Sequence, residues 1–176
     1  ALLFAIVLLI RQRHVEYREE LALAQTGPVP VQVLRKFYSG EPQAGDWDVQ
    51  RGAQTVANQR GESLGFVVQT SPDSDQIIGF SGPTNLLLIF DTDEVLRGVQ
   101  VLSSGDTREH VRQVVEDSEF LPSFQGLDLP TAASASQLDA VSGATLTSLA
   151  MRQAIRRRLR IELPEADDSP DWEPSL

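Results

Sequence analysis

The hydrophobic positions of the chain fall into three kinds of run. The first is an unbroken apolar block over residues 1–10, Ala-Leu-Leu-Phe-Ala-Ile-Val-Leu-Leu-Ile. The second is a series of short apolar runs between residues 50 and 102, punctuated by Gly, Pro, Asp and Ser. Runs of that length and punctuation predict strands. Residues 55–59 form a weak strand pattern, with Arg60-Gly61-Glu62 as a turn. Residues 63–70 form a strand of the buried type around Phe66-Val67-Val68, and residues 71–75 a loop. Residues 76–84 then lead into the strongly apolar 85–90. Asp91-Thr92-Asp93-Glu94 has hairpin chemistry and residues 95–102 supply the partner strand, so these neighbours are expected to be antiparallel. The third kind is helical, over residues 109–118 and again over 144–161, where Leu149, Ala150, Met151, Gln153 and Ala154 are good helix formers.

Between these runs the pattern is weaker. Residues 31–38 read equally as a short helix or a strand. Residues 39–47 read as a loop, with Trp47 packing on its own domain. Residues 120–130 form an apolar loop over the core, and residues 131–137 a small, polar, flexible approach to the last helix. Residues 163–176 combine three prolines with Glu165, Asp167, Asp168, Asp171 and Glu173, the composition of an acidic tail.

Ten apolar residues are too few to span a bilayer, which needs roughly twenty. The block starts without a methionine, and the expectation is the distal half of a membrane-anchor helix. The alternatives are a buried core helix or a signal-peptide remnant. Arg11, Arg13 and His14 flank it, and the helical pattern continues to Ala24 before Gly27-Pro28 stops it. The flanking charge leaves the orientation open.

Composition narrows the chemistry. A chain of 176 residues with 41% hydrophobic content supports one ordinary globular domain with some surplus at its ends. The net charge of -10 argues against nucleic acid, which calls for a basic face. With no cysteine there is no disulfide framework, thiolate-ligated iron–sulfur cluster or C-x-x-C-H haem site, which leaves flavin as the easiest redox centre to accommodate. His14 and His110 lie far apart without carboxylates at ligand spacing, so no metal is expected. No G-x-G-x-x-G, P-loop, G-x-S-x-G or H-E-x-x-H occurs.

The chain's chemistry concentrates in Asp139-Ala140-Val141-Ser142-Gly143-Ala144-Thr145-Leu146-Thr147-Ser148. It reads as a small-residue loop opening a helix, with Ser142 as the cap and Gly143 allowing a tight turn or a close ligand. A helix N-terminus presents unpaired N–H groups and suits an anion. The plain reading is a capped surface helix. For Asp106 and Thr107 the plain reading is likewise helix capping, and for His110 a solvated or satisfied histidine.

Ser142-Gly143-Ala144-Thr145, after Asp139 and before Leu146-Thr147-Ser148, resembles the flavinylation motif of the FMN-binding domain family. That family includes covalent-flavin subunits of the Rnf and sodium-translocating NADH:quinone reductase complexes and the flavin domain of the nitrous oxide reduction regulator. Gly79-Phe80-Ser81-Gly82-Pro83-Thr84, an apolar strand, an acidic turn and Gly98-Val99-Gln100-Val101-Leu102 follow the family's order of elements. Asp106-Thr107 followed by His110-Val111 looks closest to the regulator branch, and the proline and glycine usual in the Rnf branch are missing. The resemblance favours a helix over residues 31–38.

What the resemblance implies is an α+β fold, a mostly antiparallel sheet flanked by helices. The anchor would occupy residues 1–27, a single FMN-binding domain 28–162 and the tail 163–176. FMN would be covalently esterified through its phosphate to Thr145 by a separate flavin transferase. Ser142, Thr147 and Ser148 would donate to phosphate oxygens, and Gly143 and Ala144 would keep the approach open beside Leu146. Asp139 would organise the loop, and the isoalloxazine would lie toward Gly82, Pro83, Asp106 and Thr107. The implied role is a membrane-tethered electron carrier on the extracytoplasmic (periplasmic) side, partnered by other subunits of a membrane redox complex. Two other readings stay open: an accessory subunit that keeps the fold without flavin, and a reversible sensor of a phosphate-bearing ligand.

Overall fold

The computed structural model describes residues 27–48, 52–134 and 139–162. The expected anchor helix and acidic tail lie outside the described residues. Among the described residues no helix is long and apolar enough to cross a membrane.

The fold is α+β. Five strands, β1 (Gln43–Asp48), β2 (Ala53–Ala57), β3 (Ser63–Gln69), β4 (Thr84–Phe90) and β5 (Leu96–Ser104), form one antiparallel sheet in chain order. The helices are α1 (Val31–Leu34), α2 (Arg108–Glu116), α3 (Leu129–Ser134) and α4 (Thr145–Glu162), with a 3-10 turn at Pro122–Phe124.

β4 shows why the sheet carries two cores. Its run Asn85-Leu86-Leu87-Leu88-Ile89-Phe90 is buried throughout, and successive side chains of a strand point to opposite faces. Leu86, Leu88 and Phe90 meet Val68, Leu96 and Val99 beneath α2, α3 and α4. Leu87 and Ile89 join Val56 and Val67 under Val29, Leu34 and Tyr38 of the opening segment. Each such leucine contributes about 1.5–3 kcal/mol by leaving water. Tyr38 closes the smaller core, its hydroxyl donating to the Phe90 carbonyl at 2.5 Å. Burial pushes this phenol well above its ordinary range, against the opposing pull of Arg97 over its ring.

Several expectations change. Residues 43–47, expected as part of a loop, belong to the edge strand β1, with Trp47 paired to Gln54. The strand is almost wholly exposed, so no hydrophobic alternation could announce it, and pairing with β2 creates it. Residues 131–134, expected to be flexible, complete α3 because Ala132 and Ala133 pack into the larger core. Asp128 starts that helix by accepting from the Thr131 N–H at 2.9 Å. Residues 31–34 are helical, as the resemblance favoured.

α4 lies across the larger core through Met151, Ala154, Ile155, Arg158 and Leu159, the spacing of one helical face. Arg158 belongs to a basic run that reads as solvated, yet it is 1% exposed. Its Nε donates to the Gln69 carbonyl at 2.9 Å and lies 3.9 Å from Asp73 Oδ2. Arg157 Nε donates to the Asp73 carbonyl and Arg156 Nε to that of Ala133. These arginines strap α4 to the sheet and to α3, and that fixes where the N-terminus of α4 sits.

Candidate functional site

Three segments distant in sequence meet at the N-terminus of α4. The first is the loop from Gly79 to Pro83 that precedes β4, the second Gly105-Asp106-Thr107 between β5 and α2, and the third the first turn of α4. Asp106 ties them together. Its Oδ1 accepts from the N–H groups of Ser81 and Thr107, each at 2.7 Å, and from the Ser81 hydroxyl at 3.1 Å. Its Oδ2 accepts from the Phe80 N–H at 3.0 Å and the Thr147 hydroxyl at 2.6 Å. Partial burial pushes this carboxyl up, but the bonds from Thr147, Thr107, Ser81 and Phe80 outweigh it and hold it below the ordinary carboxylate range.

The approach is so close that a Cβ on Gly79 would collide with the Asp106 carboxylate, and one on Gly82 with the Gly105 backbone. The Gly105 N–H donates to the Pro83 carbonyl at 2.8 Å, which closes the same junction from its other side. Thr107 occupies the N-cap position of α2 without a side-chain cap bond. The expected capping by Asp106 or Thr107 is therefore corrected. The carboxylate is drawn into the longer-range contacts, and the Thr107 hydroxyl lies 3.2 Å from that of Ser81.

At α4 the capping expectation also shifts. The position before the helix is Ala144, which has no hydroxyl, and Ser142 stands exposed two residues too early. Ser148 does the work from inside the first turn. Its Oγ accepts from the Val141 N–H at 3.0 Å and donates to the Thr145 carbonyl at 3.0 Å. Gly143 makes the turn with φ at +81°, a conformation that disfavours any side chain. Two of the hydroxyls expected to face a phosphate, those of Thr147 and Ser148, are thus buried and committed within the protein. Their part is to set the turn.

What remains outward is Thr145, with Ser142 and Leu146 beside it. The Thr145 hydroxyl makes no hydrogen bond to the described residues. Thr147 lies about 200° round the helix from Thr145, so the Asp106 carboxylate that Thr147 engages faces away from it. The first turn of α4 holds no acidic residue. Asp139 is exposed at the start of the approach.

The opposite wall comes from α2. Gln113 Oε1 lies 3.0 Å from where a Cβ on Gly143 would stand. Three residues earlier, His110 packs edge-on against Phe80, their ring centroids 4.7 Å apart. His110 Nδ1 and Gln113 Oε1 are both buried without a hydrogen-bond partner among the described residues. Two large apolar side chains stand exposed on that loop and helix turn, Phe80 at 60% and Leu146 at 56%, with Ile78 at 45% just before the loop.

Residues 79–160 match the FMN-binding domain family, and the match opens at the glycine pressed against Asp106. The match supports the FMN-binding domain family for this part of the chain. No curated relative matches the chain. The family match likewise supports a flavin-binding protein with FMN as the cofactor. The residues fit the group: an acid-free helix N-terminus with an outward Thr145 suits a phosphate, and exposed apolar side chains beside unpartnered polar atoms suit a flavin ring.

The residues read from the sequence divide by where the structure places them. Gly82, Pro83, Asp106, Thr107 and Thr147 are brought together as the junction. Ser142, Gly143, Ala144, Thr145, Leu146 and Ser148 form one continuous turn. Trp47 lies at the far edge of the sheet from β5, away from the junction. Ser81, Phe80 and Gln113 were not singled out. The available signals were an aromatic residue between glycines and the spacing of Gln113 one helical turn beyond His110.

A cleft of about 860 Å³ runs along α4 between Ile77, Ile78, Gln153, Arg156, Arg157 and Arg160. Gln153 lies about 12 Å beyond Thr145 along the helix. The outward Thr145 sits at the helix start and the cleft on its flank.

Proposed function

We propose that the chain carries FMN through a phosphoester to Thr145 and serves as an electron carrier tethered to a membrane. The carrying observation is the isolation of the Thr145 hydroxyl. It points outward at a helix N-terminus, while the neighbouring Thr147 and Ser148 hydroxyls are buried and bonded.

The residues act on the phosphate in simple ways. Thr145 Oγ would form the P–O bond and lose its proton to the transferase as the phosphate's other substituent departs. The free N–H groups of the first turn of α4 would then face the phosphate oxygens, with the exposed Ser142 hydroxyl as a further donor. Gly143 keeps the approach clear of a side chain. When bound, FMN supplies one- and two-electron transfer. The protein's part is to hold the ring and set its surroundings.

A covalent link suits a carrier outside the cytoplasm, where a dissociated cofactor is lost to dilution. The periplasmic placement, the anchor in residues 1–27 and partnership with other subunits of a membrane redox complex belong to this proposal. Separation of membranes from soluble extract tests the tether, and recovery of the full chain in the soluble fraction would end that part.

The principal test is to denature the purified native protein, run it on a gel and look for flavin fluorescence at its band beside Thr145→Ala. Fluorescence in the native band alone is expected. A dark native band, from cells where a flavin transferase acts, would overturn the covalent assignment.

A further inference from the structure

We propose that His110 and Gln113 on α2 are the polar contacts that hold the pyrimidine edge of the flavin ring, under a cover formed by Phe80. The proposal rests on the reading of the chain as a covalent FMN carrier and adds the residues that grip the ring.

Three observations carry it. His110 Nδ1 and Gln113 Oε1 are buried with no hydrogen-bond partner among the described residues, and such orphans are costly unless something satisfies them. They lie three residues apart on α2 and so share one face of that helix. This face looks at both halves of the candidate site, Gln113 against Gly143 and His110 against Phe80. The cover is loosely held, since Phe80 is 60% exposed and meets His110 only edge-on.

Asp106, the polar group that the resemblance places beside the ring, is less suited to the role. Its two oxygens already accept five hydrogen bonds, and an anion accepts only. A flavin's pyrimidine edge alternates carbonyl acceptors with an N–H donor. His110, with its proton on Nδ1, can donate to a carbonyl, and Gln113 Oε1 can accept from the N–H. One donor and one acceptor on adjacent turns match that alternation. Rotation of Phe80 away from His110 would leave an aromatic face beside the ring.

The test uses the full chain, made where a flavin transferase acts, as native protein and as His110→Ala, His110→Gln and Gln113→Leu. Covalent flavin is measured by fluorescence of the denatured band, where folding has no influence. The visible spectrum and midpoint potential are then measured on folded samples matched by circular dichroism. Native-like flavin content is expected in all four, with a displaced visible band in His110→Ala and Gln113→Leu.

His110→Ala should also lose roughly three- to ten-fold in the equilibrium constant for reduction, because a donor to a carbonyl that gains negative charge is worth about 1 kcal/mol. His110→Gln, which keeps a donor, should recover part of that loss. Unchanged spectra and potentials at equal flavin content would overturn the proposal and leave the carrier reading intact. A native band without flavin would overturn both.

Discussion

β4 and the Asp106 junction hold the same molecule together in opposite ways. β4 is stabilised by volume and area: Leu86, Leu87, Leu88 and Ile89 are fully buried, with Val67 and Val68 opposite Ile89 and Leu88. Any side chain of similar shape would do much of the same work. The junction depends on one carboxylate whose bonds need exact geometry and partners from two loops and the first turn of α4. Its energy is small, yet it places Phe80, Thr147 and the start of α4. The difference teaches that the region that sets stability is not the region that sets the site.

The sharpest way to break the comparison is to damage each side in turn. Leu88→Ala should destabilise the domain by about 2–5 kcal/mol, read as the loss in unfolding free energy in urea. Asp106→Ala should cost less, about 1–3 kcal/mol, because the carboxylate is only partly buried. Its main effect should be local, with faster hydrogen exchange at the Phe80, Ser81 and Thr107 amides than elsewhere in the sheet. If Asp106→Ala proved as damaging as Leu88→Ala, the junction would belong to the global core and the distinction would fall.

Thr147→Val keeps the shape and removes the donor to Asp106. A loss of about 1 kcal/mol is expected, again by urea titration. The effect should largely vanish when Asp106→Ala is already present, since the two groups share one bond.

Acid sharpens the assignment further. The Asp106 carboxyl is held below its ordinary 3.8 in the folded protein, so its contribution is present above that value. It is lost as pH falls through the lower folded value. The stability gap between native protein and Asp106→Asn should stay level at neutral and mildly acid pH and narrow below about pH 4. A gap that widened on acidification would contradict the hydrogen-bond pattern. The smallest effect belongs to the exposed Glu109–Arg112 pair on α2, where Arg112→Ala should leave the melting temperature unchanged.

Much of this was legible in the sequence because it depends on short-range pattern. The apolar runs gave β3, β4 and β5, the acidic turn gave the hairpin between the last two, and the helix formers after Thr145 gave α4 to within a residue. The motif from Ser142 to Thr145 and the run from Gly79 to Thr84 carried the family resemblance. β1 was illegible, because a strand exposed on nearly all its positions carries no periodic signal.

The tertiary structure alone decided which polar groups are free. Asp106 reads in the sequence as a cap for the helix beside it, and it is instead bonded to residues 26 positions before it and 41 after it. Arg158 reads as part of a solvated basic face and lies buried against β3. Local sequence can say that a hydroxyl or carboxylate is available. Whether it meets water, a distant backbone or a ligand depends on how separate segments dock, because hydrogen bonds act over a few ångströms whatever the distance along the chain. By that docking Thr147 and Ser148 lost their freedom, Thr145 kept it, Gln113 came to stand against Gly143 and His110 against Phe80.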